Sequence, residues 1–214
     1  LYQQNVLSVM EEVWHKEGER IDLVIFLNGI AIFTFELKCN TSGQNYEDAI
    51  CQYKFERDYK TRLLKFKAGC LAHFAMDLNE VYMCTNLKGK SSFFLPFNKG
   101  CGVGIRAGKG NPHNENGINV SYMWEDILKK DTVLYLIDKI IFLQKETKKD
   151  SDTGKRITKE MLIFPRYHQF NAVRKLVADV VEHHSEKNYL IEHSAGSGKT
   201  NTIAWLAHRL ASLH

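Results

Sequence analysis

The chain has 214 residues, 44% of them hydrophobic and 25% charged, enough for one ordinary globular domain and part of a second. Lys and Arg outnumber Asp and Glu by 29 to 25, and the net charge of +4 permits a nucleic-acid partner without demanding one. The five cysteines, Cys39, Cys51, Cys70, Cys84 and Cys101, are scattered and lack a C-x-x-C pair, which argues against a disulfide framework or a zinc site and for the reducing cytoplasm; no run approaches the ~18 apolar residues of a membrane span.

In chain order, Asn5 to His15 fits either a helical face or a strand, and its β-branched content favours the strand. From Asp22 to Lys38 two β-rich runs meet at Asn28-Gly29, a strong hairpin signal. Tyr46 to Lys67 contains neither Gly nor Pro and is read as one long helix with Lys60, Arg62, Lys65 and Lys67 near its end. Strands are expected at Gly69 to Met76 and Val81 to Leu87, and a Gly- and Asn-rich loop from Lys99 to Gly117. A helical stretch over Ser121 to Leu143 precedes a charged segment, Gln144 to Glu160, whose composition marks a linker. The division is therefore 1–143, a linker at 144–160, and 161–214. The last part holds an amphipathic helix from Gln169 to His183, a short buried strand from Asn188 to Glu192, and a helix from Lys199 to Leu213.

Three ionisable residues end the otherwise apolar hairpin. Asp22 opens one strand, while Glu36 and Lys38 close the other on one face, because side chains alternate along a strand. A charge at a strand end is usually just solvated. Two carboxylates and a lysine converging across a hairpin would instead make a metal-and-water site for phosphodiester hydrolysis. The register decides between these readings. An unbulged two-residue turn would set Leu27 against Ile30 and Asp22 against Phe35, leaving Asp22 and Glu36 on opposite faces. A three-residue loop from Asn28 to Ile30, or a bulge, sets Asp22 against Glu36, and one of these is expected.

The order Asp22, Glu36-Leu37-Lys38 and a following helix resembles the PD-(D/E)xK nucleases, and "RIDLVIFLNG…FELK" is similar to the R, or motor, subunit of type I restriction enzymes. The resemblance implies a cleavage centre in which Asp22 and Glu36 bind Mg²⁺ and Lys38 assists the attacking water. Ile21 stands where the family has Pro. The family's Q-x-x-x-Y motif, associated with holding DNA, is matched by Gln52, while Glu56 replaces the Tyr; Tyr53 or Tyr59 are the rings that could substitute. A plain polar residue on a helix flank is an equally good reading of Gln52 alone.

Near the C-terminal end, Asn188 to Thr200 reads strand, glycine-bearing loop, helix, the arrangement of a phosphate cradle. Backbone amides from Gly196, Ser197, Gly198, Lys199 and Thr200 can face a β-phosphate, Lys199 the β/γ oxygens, and Thr200 a Mg²⁺ ion. His193 stands in place of the first Gly of G-x-x-x-x-G-K-[ST]. "FPRYHQ", ending at Gln169, resembles the Q-motif of superfamily 2 helicases, which implies an adenine contact for Gln169. "HSAGSGKTNTIAWLAHRL" is similar to the first motor domain of type I restriction subunits. No acidic Walker B pair follows. His113, His168, His183, His184 and His193 lack ligand spacing and are given no metal role.

The fold expected is α/β: a PD-(D/E)xK restriction-endonuclease-like core with a mixed sheet flanked by helices, then the beginning of a RecA-like P-loop domain. The resemblance implies double-stranded DNA as substrate, Mg²⁺ and ATP as cofactors, and methylation and specificity subunits as partners. Two other classes compete with it. One is a nuclease fold that no longer cuts and serves as a DNA-binding or docking module on a translocase; the other, motivated by Lys199 and Thr200 alone, is a nucleotide-binding regulatory domain.

Overall fold

The computed structural model describes residues 2–101, 109–149, 154, 156–184, 187–194 and 196–213. Strands β1 (Leu7–Lys16), β2 (Glu19–Leu27), β3 (Ile30–Leu37), β4 (Ala72–Met76), β5 (Val81–Cys84) and β6 (Leu95–Pro96) form one sheet in sequence order. Neighbours are antiparallel except β3 and β4, which run parallel, so the sheet is mixed as expected. Asn5 to His15 is thus largely strand, and the two central strands lie where the apolar runs are densest. All of β4 is buried.

A long parallel connection is needed to bring β3 beside β4. It contains α1 (Tyr46–Cys51), whose N-terminus is fixed by an Asn45 and Asp48 capping box. The single long helix expected to Lys67 is not formed. After α1 the chain winds one π-helical segment, Gln52–Glu56, and becomes extended at Arg57 (φ −102°, ψ 131°). Turns follow, which carry Lys60, Arg62, Lys65 and Lys67. Tertiary bonds win over helix propensity here: the Asp58 amide donates to Glu19 at 2.7 Å, and the Arg57 side chain turns inward to β3.

The sheet separates two cores. On one face Ile21, Val24, Ala75 and Cys84 pack with Ala49, Tyr53, Leu64 and Leu87. On the other, Phe33, Phe35, Phe74 and Phe97 pack with the segment from Met123 to Ile140. The helix expected over Ser121 to Leu143 is interrupted: two π-helical pieces, Met123–Ile127 and Leu136–Ile140, flank α2 (Lys130–Tyr135). Phe142 and Leu143 already belong to β7 (Phe142–Lys149), which pairs antiparallel with β8 (Arg156–Ile163). The segment 144–160, expected as a linker, is therefore a two-stranded ribbon along most of its length. The expected loop from Lys99 to Gly117 falls partly outside the described residues; within it, Cys101 bridges to Lys109.

Helices α3 (Tyr167–His183) and α4 (Lys199–Ala211) occur where the amphipathic patterns place them. They pack on the phenylalanine face through Phe170, Val173 and Trp205. The Trp205 indole donates to the Ile140 carbonyl at 2.8 Å, and Arg174 makes a two-pronged pair with Asp126 at 2.8 and 2.9 Å. The buried strand expected at Asn188 to Glu192 is absent. These residues have no regular structure, and Leu190 is 95% exposed. A buried strand needs neighbours on both sides, and none of the described strands pairs with it.

Candidate active site at the bulged hairpin and the phosphate loop

The turn between β2 and β3 is the two-residue Asn28-Gly29, with both φ angles positive (52° and 79°), as a type I′ hairpin requires. Leu27 pairs with Ile30 and Phe26 with Ala31, but Ile25 pairs with Phe33. Ile32 is therefore the extra residue of a bulge. The shift carries on through Val24–Thr34 and Leu23–Phe35, and its continuation sets Asp22 across from Glu36. A two-residue turn and a bulge thus occur together, and the unbulged register that would have separated the two carboxylates is not formed.

Beyond Leu23–Phe35 the ladder gives way to a side chain: Asp22 Oδ2 accepts the Leu37 amide at 2.7 Å. Asp22 keeps its other oxygen free of protein donors among the described residues. Lys38 follows directly, with its amide donating to the Met76 carbonyl at 2.9 Å. Its positive charge is felt at Glu36, and no carboxylate pairs with its ammonium among the described residues.

Glu36 has no exposed side-chain surface, and both of its oxygens meet Arg57, Nε to Oε1 at 2.7 Å and Nη2 to Oε2 at 3.2 Å. Burial pushes the Glu36 carboxyl up to about 7; the Arg57 hydrogen bonds oppose this rise and the Asp22 charge adds to it. The consequence for stability has a definite sign. The folded-state value lies above the ordinary 4.5, so the contribution is complete below pH 4.5 and is lost as the pH rises through 7. At about 1.4 kcal/mol per tenfold change in proton affinity, the loss is about 3 kcal/mol. Urea unfolding in EDTA should show wild type losing stability between pH 4.5 and 8 relative to Glu36→Gln. Parallel pH profiles for the two proteins would refute the assignment.

Gln52 is half-buried where α1 passes into the π-helical segment, and its carbonyl accepts the Arg57 amide at 3.1 Å. Its side-chain Oε1 is buried without a hydrogen-bond partner. One residue on, Tyr53 is fully buried. Its hydroxyl and the His73 imidazole both meet Thr34 Oγ1 at 2.8 Å, and burial holds His73 down to about 3, hence neutral. Tyr53 therefore cannot serve as a substitute surface ring, and Tyr59 is half-buried, its ring standing 3.4 Å from where a side chain at Gly89 would begin. The π turn explains the register. Tyr53 points into the core while Arg57, five residues after Gln52, reaches the strand that carries Glu36.

A second group of predicted residues gathers at the phosphate loop. Gly196 and Gly198 have positive φ (70° and 81°), and Gly198 caps α4. Lys199 folds back, donating to the carbonyls of His193 and Ser194 at 3.1 and 3.0 Å. Thr200 is exposed in the first turn of α4, and Ser197 is buried with its hydroxyl unpaired. Gln169 accepts the Arg166 amide at 2.8 Å and donates to the Gly198 carbonyl at 2.8 Å. A side chain on Gly198 would begin 2.5 Å from the Gln169 amide nitrogen, so this contact requires glycine. Gln169 thus joins the loop itself, and both ends of its amide are engaged.

Asp22, Glu36 and Lys38 are brought together, with Gln52 on the adjoining helix. Gln169 meets the phosphate loop. Arg57 was not singled out from the sequence, since within an uninterrupted helix it would be one more basic surface residue. Among the described residues, no group of three or more His, Cys, Asp or Glu side chains is arranged to hold a metal ion. Two carboxylates nevertheless suit Mg²⁺, which keeps several waters and takes its remaining ligands from phosphate.

Residues 2–92 match the family model described as type I restriction enzyme R protein N terminus, and residues 162–214 match that of the type III restriction enzyme res subunit. The chain is also 29% identical, over 96% of its length, to a protein of Methanocaldococcus jannaschii named as a type I restriction enzyme MjaVIIIP endonuclease subunit. It spans 18% of that relative's length. No solved structure matches the chain.

Proposed function

We propose, on the premise that this chain carries the N-terminal region of a type I restriction enzyme R protein, that it supplies the DNA-cutting centre of an ATP-dependent restriction complex. The observation carrying this reading is the bulge at Ile32, which aligns Asp22 with Glu36 beside Lys38. Asp22, through its free oxygen, and Glu36 would hold Mg²⁺. When bound, the ion neutralises charge on the oxygens of the scissile phosphate. Lys38, unpaired among the described residues and with its charge felt at Glu36, would donate to the oxygen of the attacking water and so orient its remaining lone pair toward the phosphorus. Gln52, whose buried amide oxygen has no hydrogen-bond partner, would help hold DNA from the adjoining helix.

The phosphate loop, with Lys199, Thr200 and Gln169, would bind ATP as the first part of a RecA-like motor. In the complete protein, methylation and specificity subunits select double-stranded DNA, ATP drives translocation, and cutting follows when translocation stalls. The test is plasmid cleavage by the full-length protein assembled with its partner subunits. Supercoiled plasmid should be linearised in Mg²⁺ and ATP, persist in EDTA, and be cut again when Mg²⁺ is restored. Cleavage that continues in EDTA would overturn the metal reading.

A second reading, a non-cleaving docking module on a translocase, draws on one observation: Glu36 is closed off and both its oxygens are committed to Arg57.

A further inference from the structure

We propose that Arg57 is a gate on the nuclease centre: its guanidinium occupies the carboxylate oxygens of Glu36 that the metal must take, so that metal binding requires Arg57 to withdraw. This rests on the reading of Asp22 and Glu36 as metal ligands. Three observations carry it. The Glu36 side chain has no exposed surface, so a cation cannot reach it in the conformation described. The guanidinium fork meets both oxygens at 2.7 and 3.2 Å, leaving neither free. The Arg57 side chain is 10% exposed, against none for Glu36, and hangs from the residue at which the π-helical segment gives way to extended backbone, so a change of backbone conformation lies at its root.

Asp22 and Glu36 differ in this respect. Asp22 is partly exposed and gives only one oxygen to the backbone. A cation arriving from solvent would meet Asp22 first, and its charge would repel the guanidinium while attracting Glu36. Arg57 thus acts through Glu36 as a positioning residue. It keeps a buried carboxylate compensated while no metal is present, which a lone buried charge cannot tolerate, and it sets the affinity at which the centre becomes loaded.

The experiment is calorimetric titration of Mn²⁺ into the full-length protein without nucleotide or DNA, with circular dichroism to verify folding. Arg57→Ala should tighten Mn²⁺ binding roughly tenfold or more, since breaking charge-assisted hydrogen bonds no longer opposes the ion. Arg57→Lys retains the charge without the fork and should fall between Arg57→Ala and wild type; it also serves as the deciding variant if Arg57→Ala does not fold. Loss of a merely structural contact would not increase affinity. Binding as weak as wild type in both variants overturns the gate. Asp22→Asn separates the two levels of inference. If it weakens Mn²⁺ binding while the Arg57 variants change nothing, the metal site stands and the gate falls. If Asp22→Asn has no effect, both fall.

Discussion

Asp22→Ala is expected to reduce plasmid cleavage by about 10²–10³-fold, the order expected when a positioned electrostatic group is removed from a transition state, while ATP consumption by the assembled complex continues. The separation follows from which side chains touch which site. Asp22 binds the Leu37 amide and exerts its charge on Glu36 and Arg57, all at the end of the bulged hairpin. The phosphate loop is held by Gln169, by the His168 ring at 3.2 Å from the Ser197 carbonyl, and by the Lys199 contacts. No residue belongs to both sets. Folding is a weak confounder, since Asp22 is partly exposed. Parallel measurement of DNA cleavage and phosphate release decides the matter. Cleavage at the wild-type rate would move the chemistry away from Asp22 and favour the docking module. Loss of both activities together would mean that the two sites are not separable in the way their contacts indicate.

The hairpin and its carboxylates were legible because strand periodicity and turn chemistry are local. Alternation set the face of Glu36 and Lys38, Asn-Gly marked the turn, and the requirement that the acids converge restricted the register to a bulge or a longer loop. Helices α3 and α4 were legible from their amphipathic spacing. What escaped depends on distant partners. Arg57 lies in a stretch of good helix formers, and nothing nearby signals that the helix ends at Glu56; the cause is Glu36, twenty-one residues away, together with the Glu19 carboxylate that takes the Asp58 amide. The β7–β8 ribbon was read as a linker because most of its residues are exposed and it has no hydrophobic period to reveal it. Phe142 and Leu143 were assigned to the preceding helix for the opposite reason, an apolar run that continues across an element boundary. At Asn188 to Glu192 the apolar run is present but none of the described strands pairs with it, and hydrophobicity alone does not make a strand.

Phe164→Ala is expected to cost about 3–5 kcal/mol of stability, the range for truncating a buried aromatic residue, and to do so in the six-stranded sheet although the residue follows the ribbon. Phe164 is 6% exposed and sits edge-on to Phe33, Phe74 and Phe97, with ring centroids 5.9, 5.9 and 5.8 Å away. Those three rings belong to β3, β4 and the segment just after β6. The residue is therefore a plug in the core that backs the strand carrying Glu36. Five residues later Gln169 grips the phosphate loop through the Gly198 carbonyl. The chain from Phe164 to Gln169 thus ties the loop to the back of the six-stranded sheet by a buried aromatic anchor at one end and a buried amide at the other. Urea unfolding of Phe164→Ala, beside a control at Leu190, which is 95% exposed and should cost under about 0.5 kcal/mol when changed to Ala, measures the anchor directly. A loss below about 1 kcal/mol would mean that residues beyond the ribbon can detach without opening the sheet. A loss in the expected range makes the two sites parts of one cooperative unit, in which loosening the phosphate loop and disturbing the strand behind Glu36 draw on the same packed rings.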